Sequence, residues 1–401
     1  MLSLDQIKDI THESPSKIVL LVIDGLGGLP RPDTGKTELE TAHTPHLDLL
    51  ASKGICGLTD PVSPGITPGS APGHLALFGY DPIRFLVGRG ILEALGIDFE
   101  LKKGDVATRG NFCTVDKKGL VIDRRAGRIS TEQNAELCKK LSKITLEGAE
   151  LFVVPVKEHR FLLVFRGEGL SGDASDSDPQ QIGVAPLNVA ALTAKGKKTA
   201  KLANDFVTKA KWVLVDSHPA NMVLLRGFSQ HPDLPTMNEI FKLNPAAIAS
   251  YPMYRGLAKL VGMKILETGS SVEEEFDTLA KYYAEHDFFF IHVKKTDSTG
   301  EDGDFDAKVK ALEEIDRLLP KVTDLNPDVL IVTGDHSTPA LLKGHSWHPV
   351  PIILYSNWCR ADHVKEFSEP ACASGYLGRF NACHVMPLAM ANALKLTKFG
   401  A

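Results

Sequence analysis

Three acids in this 401-residue chain stand where chemistry is done in layered folds. Asp24 closes the apolar run Lys17-Ile-Val-Leu-Leu-Val-Ile, Asp297 lies just beyond Phe288-Phe-Phe-Ile-His-Val293, and Asp335 closes Asp328-Val-Leu-Ile-Val-Thr-Gly. One such acid alone reads as a helix cap or turn residue. Three at one sheet edge repel one another unless cations hold them, so the set points to a divalent-metal site. His336 follows Asp335 directly, and His345 opens His345-Ser-Trp-His348. Imidazole beside carboxylate suits Mn²⁺ or Zn²⁺ better than Mg²⁺ or Ca²⁺ alone.

Ser70 sits in Thr67-Pro-Gly-Ser-Ala-Pro-Gly-His74, followed by the apolar Leu-Ala-Leu-Phe. Pro and Gly on both sides force a tight turn, and the apolar run reads as a helix. Ser70 is therefore expected at a helix N-terminus, where backbone N–H groups and the helix dipole favour negative charge. Taken by itself it reads as a plain N-cap serine. Beside a metal it is a nucleophile that needs no separate base. The GxSxG elbow is not matched, because Pro68 and Pro72 hold its glycine positions. Asp302-Gly-Asp304-Phe-Asp306 lacks the glycine of a calcium loop and reads as helix-start charge. Arg124, Arg125 and Arg128, then Arg160, Arg255 and Lys294, suit a small doubly anionic substrate, although exposed arginines are common for other reasons.

The elements that must position these groups form an α/β fold. Continuous apolar runs are the buried strands of a parallel sheet, and their carboxyl ends face the ligand crevice. Thr44-Pro45 and Gly54 bracket a helix over 45–53, Phe305 to Val322 has helical spacing, and Val350 to Tyr355 reads as the last strand before a helix near 387–396. The middle differs. Residues 151–156 and 159–165 read as an antiparallel pair, and 212–215 with 222–225 as another. The expected organisation is a core from 1–85 and 246–401, with a mostly parallel sheet flanked by helices, and an inserted α+β domain over 86–245.

Composition removes other classes. The longest aliphatic run, Ile18 to Ile23, is about a third of a membrane span, and the charged N-terminal segment does not read as a signal peptide. Six cysteines without a CxxC pair suggest reduced thiols in the cytoplasm. A net charge of −5 without a basic block gives no footprint for nucleic acid.

Several segments together resemble the archaeal-type 2,3-bisphosphoglycerate-independent phosphoglycerate mutases of the alkaline phosphatase superfamily. They are Ile23-Asp24-Gly, Thr41-Ala-His-Thr-Pro-His46, Pro68 to Pro82, Gly88-Arg-Gly, Asp123-Arg-Arg-Ala-Gly-Arg128, Thr333-Gly-Asp-His336 and His345 to Pro351. The resemblance runs over nearly the whole chain from Lys17. It implies an alkaline-phosphatase-like core with an inserted substrate-binding domain and two divalent ions, typically Mn²⁺, with Mg²⁺, Co²⁺ or Zn²⁺ as alternatives. The implied reaction interconverts 3-phosphoglycerate and 2-phosphoglycerate through a phosphoserine on Ser70. By position, Asp24, Ser70, Asp335 and His336 would hold one metal, and Asp297 and His345 the other. The family reads Asp-x-x-Gly-His at the last ligand of that second site, whereas this chain has Asp297-Ser-Thr-Gly-Glu301. Glutamate also ligates Mn²⁺ and Mg²⁺, which implies a harder, more anionic site. Two other functions fit the same residues: a metal-dependent phosphatase or phosphotransferase acting on another small phosphorylated metabolite, and a non-catalytic binding protein.

Overall fold

The computed structural model describes residues 3–85, 87–230, 232 and 234–400. The chain divides into two compact units, Met1–Leu86 with Leu234–Ala401, and Val87–Asp233. The second unit ends earlier than the expected 245. The strand Pro245–Ala249 pairs with Phe288–Val293 of the first unit, and the helix Met237–Phe241 that leads into it belongs there too.

In chain order the strands are β1 (Ile18–Ile23), β2 (Ile55–Asp60), β3 (Val106–Val115), β4 (Val121–Asp123), β5 (Glu150–Lys157), β6 (Arg160–Arg166) and β7 (Met222–Gln230). They continue with β8 (Pro245–Ala249), β9 (Lys264–Leu266), β10 (Phe288–Val293), β11 (Val329–Thr333), β12 (Val350–Ser356) and β13 (Gly378–Asn381). In the first unit eight of them form one sheet, in the order β13-β2-β12-β11-β1-β10-β8-β9. The pairings are parallel except at β12, which runs antiparallel to both β11 and β2. The expected parallel series therefore stops at β11. A parallel return needs a crossover, and the 334–349 connection contains no helix, so β12 folds straight back.

Every residue of β1, β10 and β11 is buried, as continuous apolar strands covered on both faces must be. On one face Val19, Leu21 and Ile23 pack with Leu50, Phe276 and Leu312, contributed by the helices Pro45–Lys53, Val272–Tyr282 and Phe305–Leu318. The alternate residues of β10 turn to the other face. There Phe290 meets Phe78 at 4.9 Å, and His292 stacks on Tyr254 of the helix Pro252–Leu260 at 3.6 Å.

The second unit is an antiparallel sheet in which β3 pairs with β4, β6 and β7, and β5 with β6. The β5–β6 hairpin matches expectation. The second expected pair does not form: Trp212 and Val213 end the helix Lys197–Val213, and β7 pairs with β3 instead. That helix buries Ala200, Ala203, Phe206 and Ala210, a helical period that a four-residue apolar run at its end does not reveal. Among the described residues no helix is long and apolar enough to cross a membrane.

Candidate active site

Strand register brings the three acids level. Ile23 of β1 lies opposite Val293 of β10, and Val22 opposite Thr333 of β11. Asp24 and Asp335 follow their strands, and Asp297 occupies the first turn of the helix Lys295–Asp302 just after β10. All three are buried at the carboxyl edge of the sheet. The turn after Asp24 requires glycine: Gly25 has φ +67°, and a Cβ there would come within 2.9 Å of the Asp297 Cα.

Ser70 opens the helix Ser70–Leu77, whose N-cap is Gly69. The plain N-cap role is thus taken by another residue, and Ser70 Oγ lies 3.3 Å from His336 Nε2. Gly73 lets this helix settle on the end of β11, since a Cβ there would stand 2.2 Å from the Asp335 carbonyl oxygen.

Hydrogen bonds assign the protons of the histidines. Thr338 Oγ1 donates to Asp297 Oδ1 at 2.7 Å, so it must accept from His336 Nδ1 at 2.9 Å. His336 Nε2 is left with its lone pair. That nitrogen lies 3.3 Å from Asp24 Oδ1 and 3.2 Å from Asp335 Oδ2, two buried oxygens without a hydrogen-bond partner among the described residues. His345 Nδ1 donates to the Pro68 carbonyl at 2.9 Å, which turns a bare Nε2 toward Asp297 Oδ1 at 3.6 Å. Its ring stacks on His336 at 3.6 Å. Two groups, Asp24–Asp335–His336 and Asp297–His336–His345, thus present ligand atoms within 4.8 Å of one another. Unpaired carboxylate oxygens and imidazole lone pairs converging in a buried pocket are the donor set of a divalent cation, and the residues present fit one.

Other groups hold these ligands. Asp24 Oδ2 accepts from the Tyr254 hydroxyl at 2.6 Å and His292 Nε2 at 3.1 Å, and pairs with Lys294 at 3.1 Å. Burial acts to raise the Asp24 carboxyl, but the hydrogen bond from His292 and the charges of His292, His336 and Lys294 hold it well below the usual carboxylate range. Asp335 is pushed up, by burial and then by the charge of Asp24. His74 Nδ1 donates to the Ser70 carbonyl at 2.8 Å, and burial pushes its pKa down to about 4, which keeps it neutral. Lys294 also bonds Asp297; burial lowers its pKa, but Asp24 and Asp297 outweigh that and raise it.

Asp24, Ser70, Asp297, Asp335, His336, His345 and Lys294 come together. Glu301 lies one helical turn past Asp297, 54% exposed, with its carboxylate 3.9 Å from His345 Nε2. Arg255 pairs with Glu267 at 2.9 Å. In the second unit Arg124 is held by Asp178 through two hydrogen bonds of 3.0 and 2.7 Å. Arg125 and Arg128 are exposed, Arg160 half-buried. Burial and then the charge of Arg160, with those of Arg125 and Arg128 behind it, push the His159 pKa down to about 4. Tyr254, His292 and Thr338 were not singled out from the sequence. His292 alone left a signal, an imidazole inside an otherwise apolar strand.

The family described as 2,3-bisphosphoglycerate-independent phosphoglycerate mutase matches residues 51–221. Curated relatives from Thermosipho africanus and Thermus thermophilus, each named "Probable 2,3-bisphosphoglycerate-independent phosphoglycerate mutase", are 52% and 50% identical over 98% of both chains. Among solved structures, the PH0037 protein of Pyrococcus horikoshii superposes with TM-score 0.82 at 30% identity, over 97% of this chain and all of that one. A cofactor-independent phosphoglycerate mutase from Thermoplasma acidophilum does so with TM-score 0.76 at 32% identity, over 94% of this chain and all of its own.

Proposed function

Because the chain belongs to the 2,3-bisphosphoglycerate-independent phosphoglycerate mutase family, we propose that it interconverts 3- and 2-phosphoglycerate through a phosphoserine on Ser70, at a site holding two divalent cations, Mn²⁺ first among them. The observation that carries this reading is the position of Ser70 Oγ, 3.3 Å from the bare Nε2 of His336, beside the unpartnered Asp24 Oδ1 and Asp335 Oδ2. Asp24, Ser70, Asp335 and His336 would hold one cation, and Asp297, His345 and Glu301 the other. Bound there, the cations supply positive charge that neutralises the phosphate and lowers the pKa of the Ser70 hydroxyl.

Ser70 Oγ forms a bond to phosphorus as the bond to the substrate's O2 or O3 breaks, and the hydroxyl proton ends on the released glycerate. Glycerate then turns, and its other hydroxyl takes the phosphoryl group back from Ser70 while returning a proton to it. Lys294, beside Asp24 and Asp297, is the proposed contact for phosphate charge. Arg125, Arg128 and Arg160, with Arg124 and Arg255, are the proposed contacts for the substrate's anionic groups. The reduced thiols of all six cysteines accord with a cytoplasmic enzyme.

The test is production of 2-phosphoglycerate from 3-phosphoglycerate, coupled to enolase, with Mn²⁺ and without 2,3-bisphosphoglycerate, and with inorganic phosphate read in parallel. Isomerisation that disappears in Ser70→Ala is expected. Phosphate release without isomerisation, or isomerisation that survives Ser70→Ala, would overturn the reading.

A further inference from the structure

Lys308 is fully buried on the helix Phe305–Leu318, among residues that otherwise alternate between core and solvent. A buried ammonium is costly unless every proton is satisfied. All three are. Lys308 Nζ donates to the carbonyls of Gly25 at 2.8 Å, Gly27 at 3.0 Å and Thr338 at 2.9 Å. Gly25 is the residue after Asp24. Thr338 is the residue whose hydroxyl bonds Asp297 and sets the proton of His336. One cation therefore ties the turn bearing a ligand of one group to the residue that orients ligands of both.

Two acids, buried Glu38 and partly buried Glu369, bind N–H groups of the same two segments. Glu38 accepts from the N–H groups of Leu29 at 3.2 Å and Ala340 at 2.8 Å. Glu369 accepts from the Gly28 N–H at 2.8 Å and the Thr37 hydroxyl at 2.8 Å. The turn 25–29 thus gives the carbonyls of Gly25 and Gly27 to one ammonium and the N–H groups of Gly28 and Leu29 to two carboxylates. The 337–340 segment is fastened in the same way, and Ser337 further bridges to Gly27 and Ser346. Main chain fixed by charges at both its donors and its acceptors has little freedom to relax when a neighbour changes.

We propose that Lys308, with Glu38 and Glu369, is a positioning residue for the phosphoryl-transfer site, locking the turn after Asp24 to the segment carrying His336 and Thr338 so that both ligand groups are preset. All three bind main-chain groups of these segments, and none is a proposed ligand. The inference rests on the metal reading above. It says where the preorganisation of that site comes from: a buried charge cluster behind it, built on residues that no ligand pattern would select.

A structural role alone makes a different prediction, because buried ion clusters often add little net stability over a well-packed apolar replacement. The experiment compares the wild type with Lys308→Met and Lys308→Arg by three readouts: Mn²⁺ binding followed by electron paramagnetic resonance of the free ion, melting of the metal-free protein, and the split between kcat and KM at saturating Mn²⁺. The expected result for Lys308→Met is at least tenfold weaker binding of Mn²⁺ at both sites and at least tenfold lower kcat. KM should stay within about twofold, and Lys308→Arg should recover part of the loss. A folded Lys308→Met that binds Mn²⁺ as the wild type does, whatever its melting temperature, would overturn the proposal. If Lys308→Met does not fold, Glu369→Gln decides: Mn²⁺ binding weakened threefold or more supports the cluster, and wild-type binding overturns it. A wild type that binds no Mn²⁺ would overturn the metal reading itself, and is distinguishable because it appears before any substitution is made.

Discussion

The Tyr254 hydroxyl donates to Asp24 Oδ2 at 2.6 Å, and the other oxygen of this buried carboxylate has no hydrogen-bond partner among the described residues. Tyr254, together with His292 and Lys294 on the same oxygen, thereby leaves Asp24 Oδ1 facing His336. The ring itself is packed by His292 and His74 at 3.6 and 4.8 Å, so Tyr254→Phe should keep its shape and lose only the hydroxyl, which donates to Asp24 and accepts from Lys294 at 3.3 Å. A hydrogen bond to a charged group contributes about 1.5–3 kcal/mol, so kcat should fall by roughly tenfold to a hundredfold with little change in KM. Steady-state kinetics at saturating Mn²⁺ check this, and a wild-type kcat would contradict it.

Glu301 is the residue in which this chain departs from the expected Asp-x-x-Gly-His pattern, and its carboxylate lies beside His345 while remaining half exposed. Its proposed role as a ligand predicts a selective defect. Glu301→Ala should weaken one class of bound Mn²⁺ by about tenfold or more and leave the other class at wild-type affinity. Binding isotherms with both classes unchanged would remove Glu301 from the site.

Gly73 is where the Ser70 helix meets the end of β11. A Cβ 2.2 Å from the Asp335 carbonyl oxygen has to move backbone, not a flexible side-chain tip. Gly73→Ala should destabilise the protein by about 1–3 kcal/mol and lower kcat steeply, because it displaces Ser70 from His336 and Asp335 together. Melting and steady-state rates measured on the same preparation check both halves.

Glu275, in the helix Val272–Tyr282, is buried, and burial pushes its pKa up to about 8. An unfolded glutamate titrates near 4.5, so between these values the folded state holds a proton that the unfolded state has lost. Stability contributed by this group must therefore fall as pH rises through that window, by about 1.4 kcal/mol per pH unit at most. Between pH 6 and pH 7.5 the wild type should lose stability relative to Glu275→Gln. Parallel denaturant curves for the two proteins would contradict the assignment.

The parts of the site legible in the sequence were those attached to strong local patterns. Asp24 and Asp335 end apolar runs, and Ser70 sits between prolines and glycines that announce a helix start. Those signals survive folding because strand ends and helix starts are set locally. Strand direction is not: the hydropathy of β12 is that of a buried strand of either sense, and only its helix-free connection to β11 makes it antiparallel. Trp212 and Val213 show the related limit, an apolar pair that reads as strand and ends a helix. The supporting residues were illegible for a different reason. Lys308 looks like any charged position on an amphipathic helix, and Tyr254 and Thr338 acquire their roles only through partners 230 and 41 residues away. Their chemistry is a property of the tertiary fold.

Ser70 is proposed to carry the phosphoryl group during the reaction. The most direct test incubates the Mn²⁺-loaded enzyme with 3-phosphoglycerate, quenches it in acid, and maps peptides by mass spectrometry. The peptide containing Ser70 is expected to gain the mass of one phosphoryl group, with the label on Ser70 itself, and Ser70→Ala is expected to show none. Full mutase activity with no phosphorylated Ser70 peptide at any quench time, or phosphorylation at a different residue, would contradict it.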